Sequence, residues 1–148
     1  MFDEDSIEID AAAQLVWDVF TDVEHWPDWT ASVTSLTGLD GPVLAIGKRF
    51  AIKQPGMQKL VWQVTELEPG SSWTWVQRSP GVLVRARHDV IGQPDGRTLV
   101  RQQLDQGGVL GALVGRLMAK KTKRFLELEA HGLKARSEQL SRAHGPHP

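Results

Sequence analysis

The chain has 148 residues, with 17 Lys and Arg against 18 Asp and Glu, a net charge of −1 and no Cys. That length suits one domain, able to bury roughly 68–70% of its unfolded surface without covalent staples. The balanced charge argues against a general nucleic-acid binder, and the missing Cys excludes disulfides, thiolate metal sites and Cys nucleophiles.

The start, Met1-Phe2-Asp3-Glu4-Asp5, is acidic and lacks the basic, then apolar, pattern of a secretory signal. No run approaches the ~18 consecutive apolar residues of a spanning helix. A cytoplasmic protein with no integral membrane segment is the expectation, and the absence of Cys fits a reducing compartment.

Ser6 to Ile9 alternates, with Ile7 and Ile9 on one side, as a short strand does. Asp10 stands where an N-cap belongs, before Ala11-Ala12-Ala13. Leu15, Val16, Val19, Phe20 and Val23 then recur at helical spacing, predicting an amphipathic helix from about Ala11 to Thr21. Pro27 ends or restarts it, so Asp22 to Trp29 is a turn or a short second helix.

Six further strands are predicted, at about Ala31–Thr37, Lys48–Lys53, Lys59–Leu67, Ser72–Arg78, Val82–Ile91 and Arg97–Asp105. Pro55-Gly56, Pro69-Gly70, Pro80-Gly81 and Asp95-Gly96 are turn chemistry, and short connections imply antiparallel neighbours. From Val109 to about Arg142 there is no Pro, and Leu110, Leu113, Val114, Leu117, Phe125, Leu128 and Leu133 form an apolar stripe. A helix of some 30 residues would be about 45 Å long. His144 to Pro148 reads as a disordered tail after one domain spanning 1–143. The resulting fold class is α+β: a curved seven-stranded antiparallel sheet around a long C-terminal helix, with two short helices after strand one. A sheet this large needs one face covered, and only the last helix is long enough.

Alternation sorts the side chains. Val82, Val84, Ala86, His88 and Val90 share a face opposite Leu83, Arg85, Arg87 and Asp89, so His88 faces inward on an otherwise apolar row. Val100, Gln102 and Leu104 are the inner set of the last strand, and its outer charges can pair with Arg85, Arg87 and Asp89. Trp73, Trp75 and Gln77 share a face, as do Leu60, Trp62 and Val64, although a bulge would flip part of either strand. The six Trp are core residues or cavity walls.

His88 is either a core histidine satisfied by a carbonyl or by Gln102, or an acid, base or ligand-orienting group. The inner strand faces hold no second titratable residue, and Gln77 and Gln102 are their other polar members. His25 and Asp28 lack a third ligand and read as loop capping, not as a metal site. No Gly-rich phosphate loop or nucleophile elbow occurs, and no cofactor is expected. Gly111 and Gly115 form a GxxxG that permits close packing. Arg116, Lys120, Lys121, Lys123 and Arg124 form a basic run, read as a solvated face balanced by Glu127 and Glu129, with anionic membrane contact as the alternative.

Several segments together resemble the polyketide cyclase/dehydrase-like branch of the SRPBCC (START-like) superfamily. They are Val16-Trp17-Asp18-Val19-Phe20-Thr21-Asp22 with Trp26-Pro27-Asp28-Trp29; Trp73-Thr74-Trp75 leading to Ser79-Pro80-Gly81 and Ala86-Arg87-His88; and Glu127 to Lys134. The resemblance spans about Ser6 to Glu138. It implies a helix-grip fold and the binding or transformation of a hydrophobic small molecule, lipid- or polyketide-like. The expected ligand-binding residues are Trp62, Trp73, Trp75, Gln77, Val84, Ala86, His88, Gln102, Leu113 and Leu117. The alternatives are a cyclase or dehydratase with His88 as acid or base, and a homodimeric or partner-binding interaction module.

Overall fold

The structure is a computed structural model and describes residues 1–143; the predicted tail at 144–148 lies outside the described residues. Seven strands form one antiparallel sheet in the order β1-β7-β6-β5-β4-β3-β2. They are β1 (Phe2–Ile9), β2 (Ser35–Gly38), β3 (Arg49–Lys53), β4 (Leu60–Glu68), β5 (Ser72–Ser79), β6 (Val82–Gly92) and β7 (Thr98–Gly107). Helix α1 (Ala13–Thr21) and a 3₁₀ turn (Val23–Asp28) follow β1, and α2 (Gly111–Ala143) closes the chain. Consecutive strands from β2 to β7 pair with their neighbours, as the short turns require, and β1 closes onto β7. The predicted architecture is therefore the observed one.

Local differences have local causes. Helix α1 begins two residues later than predicted, and Asp10 is not its cap: Ala12 occupies that position without a side-chain hydrogen bond. The Asp10 amide instead donates to Glu138 Oε2 at 2.8 Å, tying the strand end to α2. Strand β1 starts at Phe2, not Ser6, because β7 offers a full ladder from Phe2↔Asp105 to Ile9↔Thr98. Strand β2 starts only at Ser35. The Ser32 amide donates to Thr30 Oγ1 at 3.2 Å, and the two hydroxyls lie 2.9 Å apart. Such local bonds compete with a strand ladder.

The core lies between the sheet and the helices. Trp26, Trp73, Phe20, Phe50, Ile9 and Leu133 are its largest fully buried side chains. Trp26 joins α1 to the 3₁₀ turn: its ring stacks on Phe20 with centroids 5.6 Å apart, and its Nε1–H donates to the Phe20 carbonyl at 2.8 Å. On the opposite sheet face Asp89 is buried beneath its partners. Arg87, two residues away on the same strand, reaches it at 3.0 Å, and Arg101 of β7 reaches it at 3.6 Å, the latter being the cross-strand charge pairing expected from the alternation.

The rotation of α2 about its axis departs from the sequence reading. Gly111, Gly115, Thr122, Leu126, Glu129, Leu133 and Ser137 are buried, at steps of three, four or seven. Leu113 and Leu117, expected to face the sheet, are 56% and 77% exposed. Leu113 is two residues from each glycine and Leu117 is two from Gly115, which places both roughly 200° around the helix from that face. The glycines take the inner face because the sheet leaves no room for a side chain: a Cβ at Gly111 would lie 2.6 Å from the Gln106 carbonyl oxygen. The close packing expected of the GxxxG thus turns the leucines outward.

Candidate functional site

Three rows of paired residues build the inner wall. Trp73, His88 and Gln102 are partners across β5, β6 and β7. The next row is Val64, Trp75, Ala86 and Leu104, and the third is Phe50, Trp62, Gln77, Val84 and Gln106. A bulge between Val64 and Glu66 shifts β4 so that Leu67, not Glu66, opposes Trp73. The bulge keeps an apolar residue on the inner face and sends Glu66 out.

Between this wall and α2 lies a cavity of about 480 Å³, within the roughly 300–1,000 Å³ common for small-molecule sites. Trp62, Trp75, Gln77, Val84, Ala86, His88 and Gln102 line it. Trp73 does not: it is fully buried behind His88, with the two rings stacked at 4.0 Å. Leu113 and Leu117 do not line it either, whereas Val114, Met118, Thr122, Phe125 and Glu129 are among the helix residues that do. The rim includes residues 54, 56–58 and 79–80, and Lys121 reaches across it to the Gly56 carbonyl at 3.4 Å.

His88 sits in an aromatic cage of Phe20, Trp26, Trp73 and Trp75. Its Nδ1 lies 3.3 Å from the Trp73 carbonyl oxygen. A carbonyl can only accept, so that bond puts the proton on Nδ1 and leaves Nε2 a lone-pair acceptor. Burial drives its pKa down to about 3, outweighing the Trp73 carbonyl and the charge of Asp89, which raise it. The imidazole is neutral at pH 7. Thus His88 is both a carbonyl-satisfied core histidine and a cavity-lining group.

Glu129 is the site residue that the sequence reading missed. It was assigned to the solvated face of α2, yet it is buried and lines the cavity. Burial raises its pKa to about 8, so at pH 7 it is mainly a neutral carboxylic acid with a proton to donate. The signal was present: Glu129 stands four residues from both Phe125 and Leu133 of the predicted stripe. The cavity therefore contains a second titratable group, contributed by the helix and not by a strand. Gln106 is a further inner residue beyond the predicted set. The Oε1 atoms of Gln102 and Gln106 are buried without a hydrogen-bond partner among the described residues. Gln77 has one: its Nε2 donates to Ser79 Oγ.

His25, exposed on the 3₁₀ turn, pairs with Asp22 at 3.0 Å and not with Asp28, and Asp22 raises its pKa. Among the described residues no three His, Asp or Glu side chains gather in a way that could hold a metal ion. None of the described helices is long and apolar enough to cross a membrane.

Comparison with known proteins places this arrangement. The profile described as "Polyketide cyclase / dehydrase and lipid transport" matches residues 4–138. No curated protein sequence matches. Among solved structures, the Zhui aromatase/cyclase of a Streptomyces species superposes with a TM-score of 0.79 at 17% identity, covering 99% of each chain. A START superfamily protein from Mycobacterium smegmatis gives 0.69 at 19% identity, covering 94% of this chain and 98% of that one. Norcoclaurine synthase of Thalictrum flavum, solved as a point mutant with a transition-state analogue, gives 0.75 at 13% identity and covers 94% of each chain. At such identities the likeness is one of fold. With its helix-grip architecture and a family match over nearly its whole length, the chain belongs to the polyketide cyclase/dehydrase and lipid transport family.

Proposed function

We propose that the protein binds an uncharged hydrophobic or aromatic small molecule in the cavity between the sheet and α2. The observation that carries this reading is the cavity's lining. Trp26, Trp62 and Trp75 supply aromatic surface, while His88, Gln102, Gln106 and Glu129 supply polar groups that are all neutral at pH 7. Aromatic walls contribute buried area and stacking, and unpartnered amide oxygens favour a ligand with hydroxyl or N–H donors. The two cations of the lining are already engaged, Arg87 with Asp89 and Lys121 with the Gly56 carbonyl at the rim, which disfavours an anionic ligand. Few convergent polar groups in an apolar pocket is the usual composition of a small-molecule site.

The test is a thermal-shift and tryptophan-fluorescence screen of hydrophobic and aromatic compounds against the wild type and Ala86→Trp. Ala86 lies on the wall between Trp75 and Leu104, so a Trp there fills space. Compounds that raise the melting temperature of the wild type should fail to do so in Ala86→Trp. Equal binding by both proteins, or no binding compound at all, overturns the proposal.

A second reading is favoured by Glu129 itself. A buried carboxylic acid with a pKa near 8 is suited to donate a proton near neutral pH. In a cyclisation or dehydration Glu129 would act as the acid. Neutral His88, with a pKa near 3, is too weak a base to lead and would orient a hydroxyl through Nε2. With a compound that is turned over, Glu129→Gln should lower kcat by about 10²–10⁴-fold. An unchanged kcat removes Glu129 from the chemistry.

A further inference from the structure

The ten exposed large hydrophobic residues among those described are not scattered evenly. Val109, Leu110, Leu113 and Leu117 follow one another at the start of α2 and just before it. Met1 packs against the opposite, inner face of this end of the helix, where a Cβ at Gly115 would lie 2.7 Å from Met1 Cβ, so the leucines are left to face outward. Val109 is 93% and Leu117 77% exposed, and contiguous exposed apolar surface marks an interaction site.

The charge of the same segment is one-sided. Residues 109–124 contain Arg116, Lys120, Lys121, Lys123 and Arg124 and no acidic residue, in a chain whose net charge is −1. Arg116, Lys120, Lys123 and Arg124 are exposed, and none of the five forms an ion pair among the described residues. Lys121 is spent on the Gly56 carbonyl. The first acid of the helix is Glu127, beyond the leucines.

From this juxtaposition we propose that the outward face of the first turns of α2 is a docking surface for an anionic lipid membrane. Leucines flanked by Lys and Arg match a bilayer interface, where the apolar side chains enter the acyl boundary and the cations meet lipid phosphates. A second copy of the chain fits worse, because a symmetric contact would set two acid-free basic rows against each other. Nucleic acid would use the cations and leave the leucines in water. The surface adjoins the cavity rim. The Leu110 amide donates to the Gly81 carbonyl at 2.8 Å, and Pro80 and Val82 on either side line the cavity. Docking therefore brings the cavity entrance to the lipid surface. The proposal stands independently of what the cavity holds.

The experiment is co-sedimentation of the full chain with vesicles of phosphatidylcholine containing about one-third phosphatidylserine, and with phosphatidylcholine alone, at about 0.1 M salt. Binding is expected to the anionic vesicles and should fall away as salt rises. Leu113→Ser/Leu117→Ser, which alters two exposed side chains outside the cavity, should melt like the wild type and bind about tenfold more weakly or worse. Lys120→Gln/Lys123→Gln should weaken binding about thirtyfold, and it tests the surface separately from the leucines. The proposal is overturned if the wild type ignores the anionic vesicles, or if either double variant binds as the wild type does. A wild-type dimer that Leu113→Ser/Leu117→Ser converts to monomer would assign the face to a second copy instead.

Discussion

His88 and Glu129 occupy one cavity with opposite burial effects, and their linkage to folding has opposite signs. Unfolded His88 binds its proton below about pH 6.5, whereas folded His88 does so only below about 3. Stability should therefore fall as pH drops through that interval. Folded Glu129 keeps its proton to about pH 8, whereas the unfolded carboxyl loses it near 4.5. Stability should fall as pH rises from 4.5 to 8. Between about 4.5 and 6.5 the two slopes cancel; outside it each acts alone, at up to about 1.4 kcal/mol per pH unit. Denaturant melts of Glu129→Gln should lose the decline between pH 6.5 and 8, and melts of His88→Gln should lose the decline between 4.5 and 3. A variant curve parallel to the wild type would show that burial does not set that group's pKa. At this scale His88 was legible because strand alternation is binary: the charged neighbours had to face out. Glu129 was not, since a glutamate beside a lysine run looks solvated until the helix's rotation is known.

That rotation is decided at the scale of the element. Apolar counting pointed to Leu110, Leu113 and Leu117, the most hydrophobic side chains of the helix start, but close approach to β7 selected Gly111 and Gly115. Gly132 makes the same point farther along. A Cβ there would lie 2.1 Å from the Trp29 carbonyl oxygen, where the turn after Pro27 meets α2. In an exposed helix Gly→Ala stabilises by roughly 1 kcal/mol. Here the sign reverses, because Trp29 is held by backbone and cannot yield cheaply. Gly132→Ala should lower the melting temperature by about 4–8 °C, a loss of about 2 kcal/mol. A rise would mean the helix can shift outward freely. The β4 bulge belongs to the same class of feature. Alternation alone carries Leu60, Trp62 and Val64 inward and would have sent Glu66 after them, whereas the extra residue hands that place to Leu67.

For the whole molecule, the cavity couples the sheet and α2 to whatever fills it. A ligand that binds only the folded state adds stability by mass action, about 2.7 kcal/mol at one hundred times its Kd. For a chain of this size that is a rise of about 5–10 °C in melting temperature. The rise should be largely abolished in Ala86→Trp and retained in Leu113→Ser/Leu117→Ser, since only Ala86 lines the cavity. Loss of the ligand effect in the surface variant would mean that the start of α2 shapes the cavity itself.

The sequence by itself determined the order of elements, the antiparallel neighbours from β2 to β7 and the inward row from Val82 to Val90. These follow from local physics: side chains alternate in a strand, Pro-Gly and Asp-Gly break it, and a short turn leaves the chain nowhere to go but back. The tertiary structure alone decided that β1 closes onto β7, how α2 is turned, and that Glu129 rather than Leu113 or Leu117 meets the cavity. Those outcomes depend on contacts between residues far apart in the chain. There the closest approach of two backbones, at Gly111 and Gly132, outweighs the preference of any single side chain for burial.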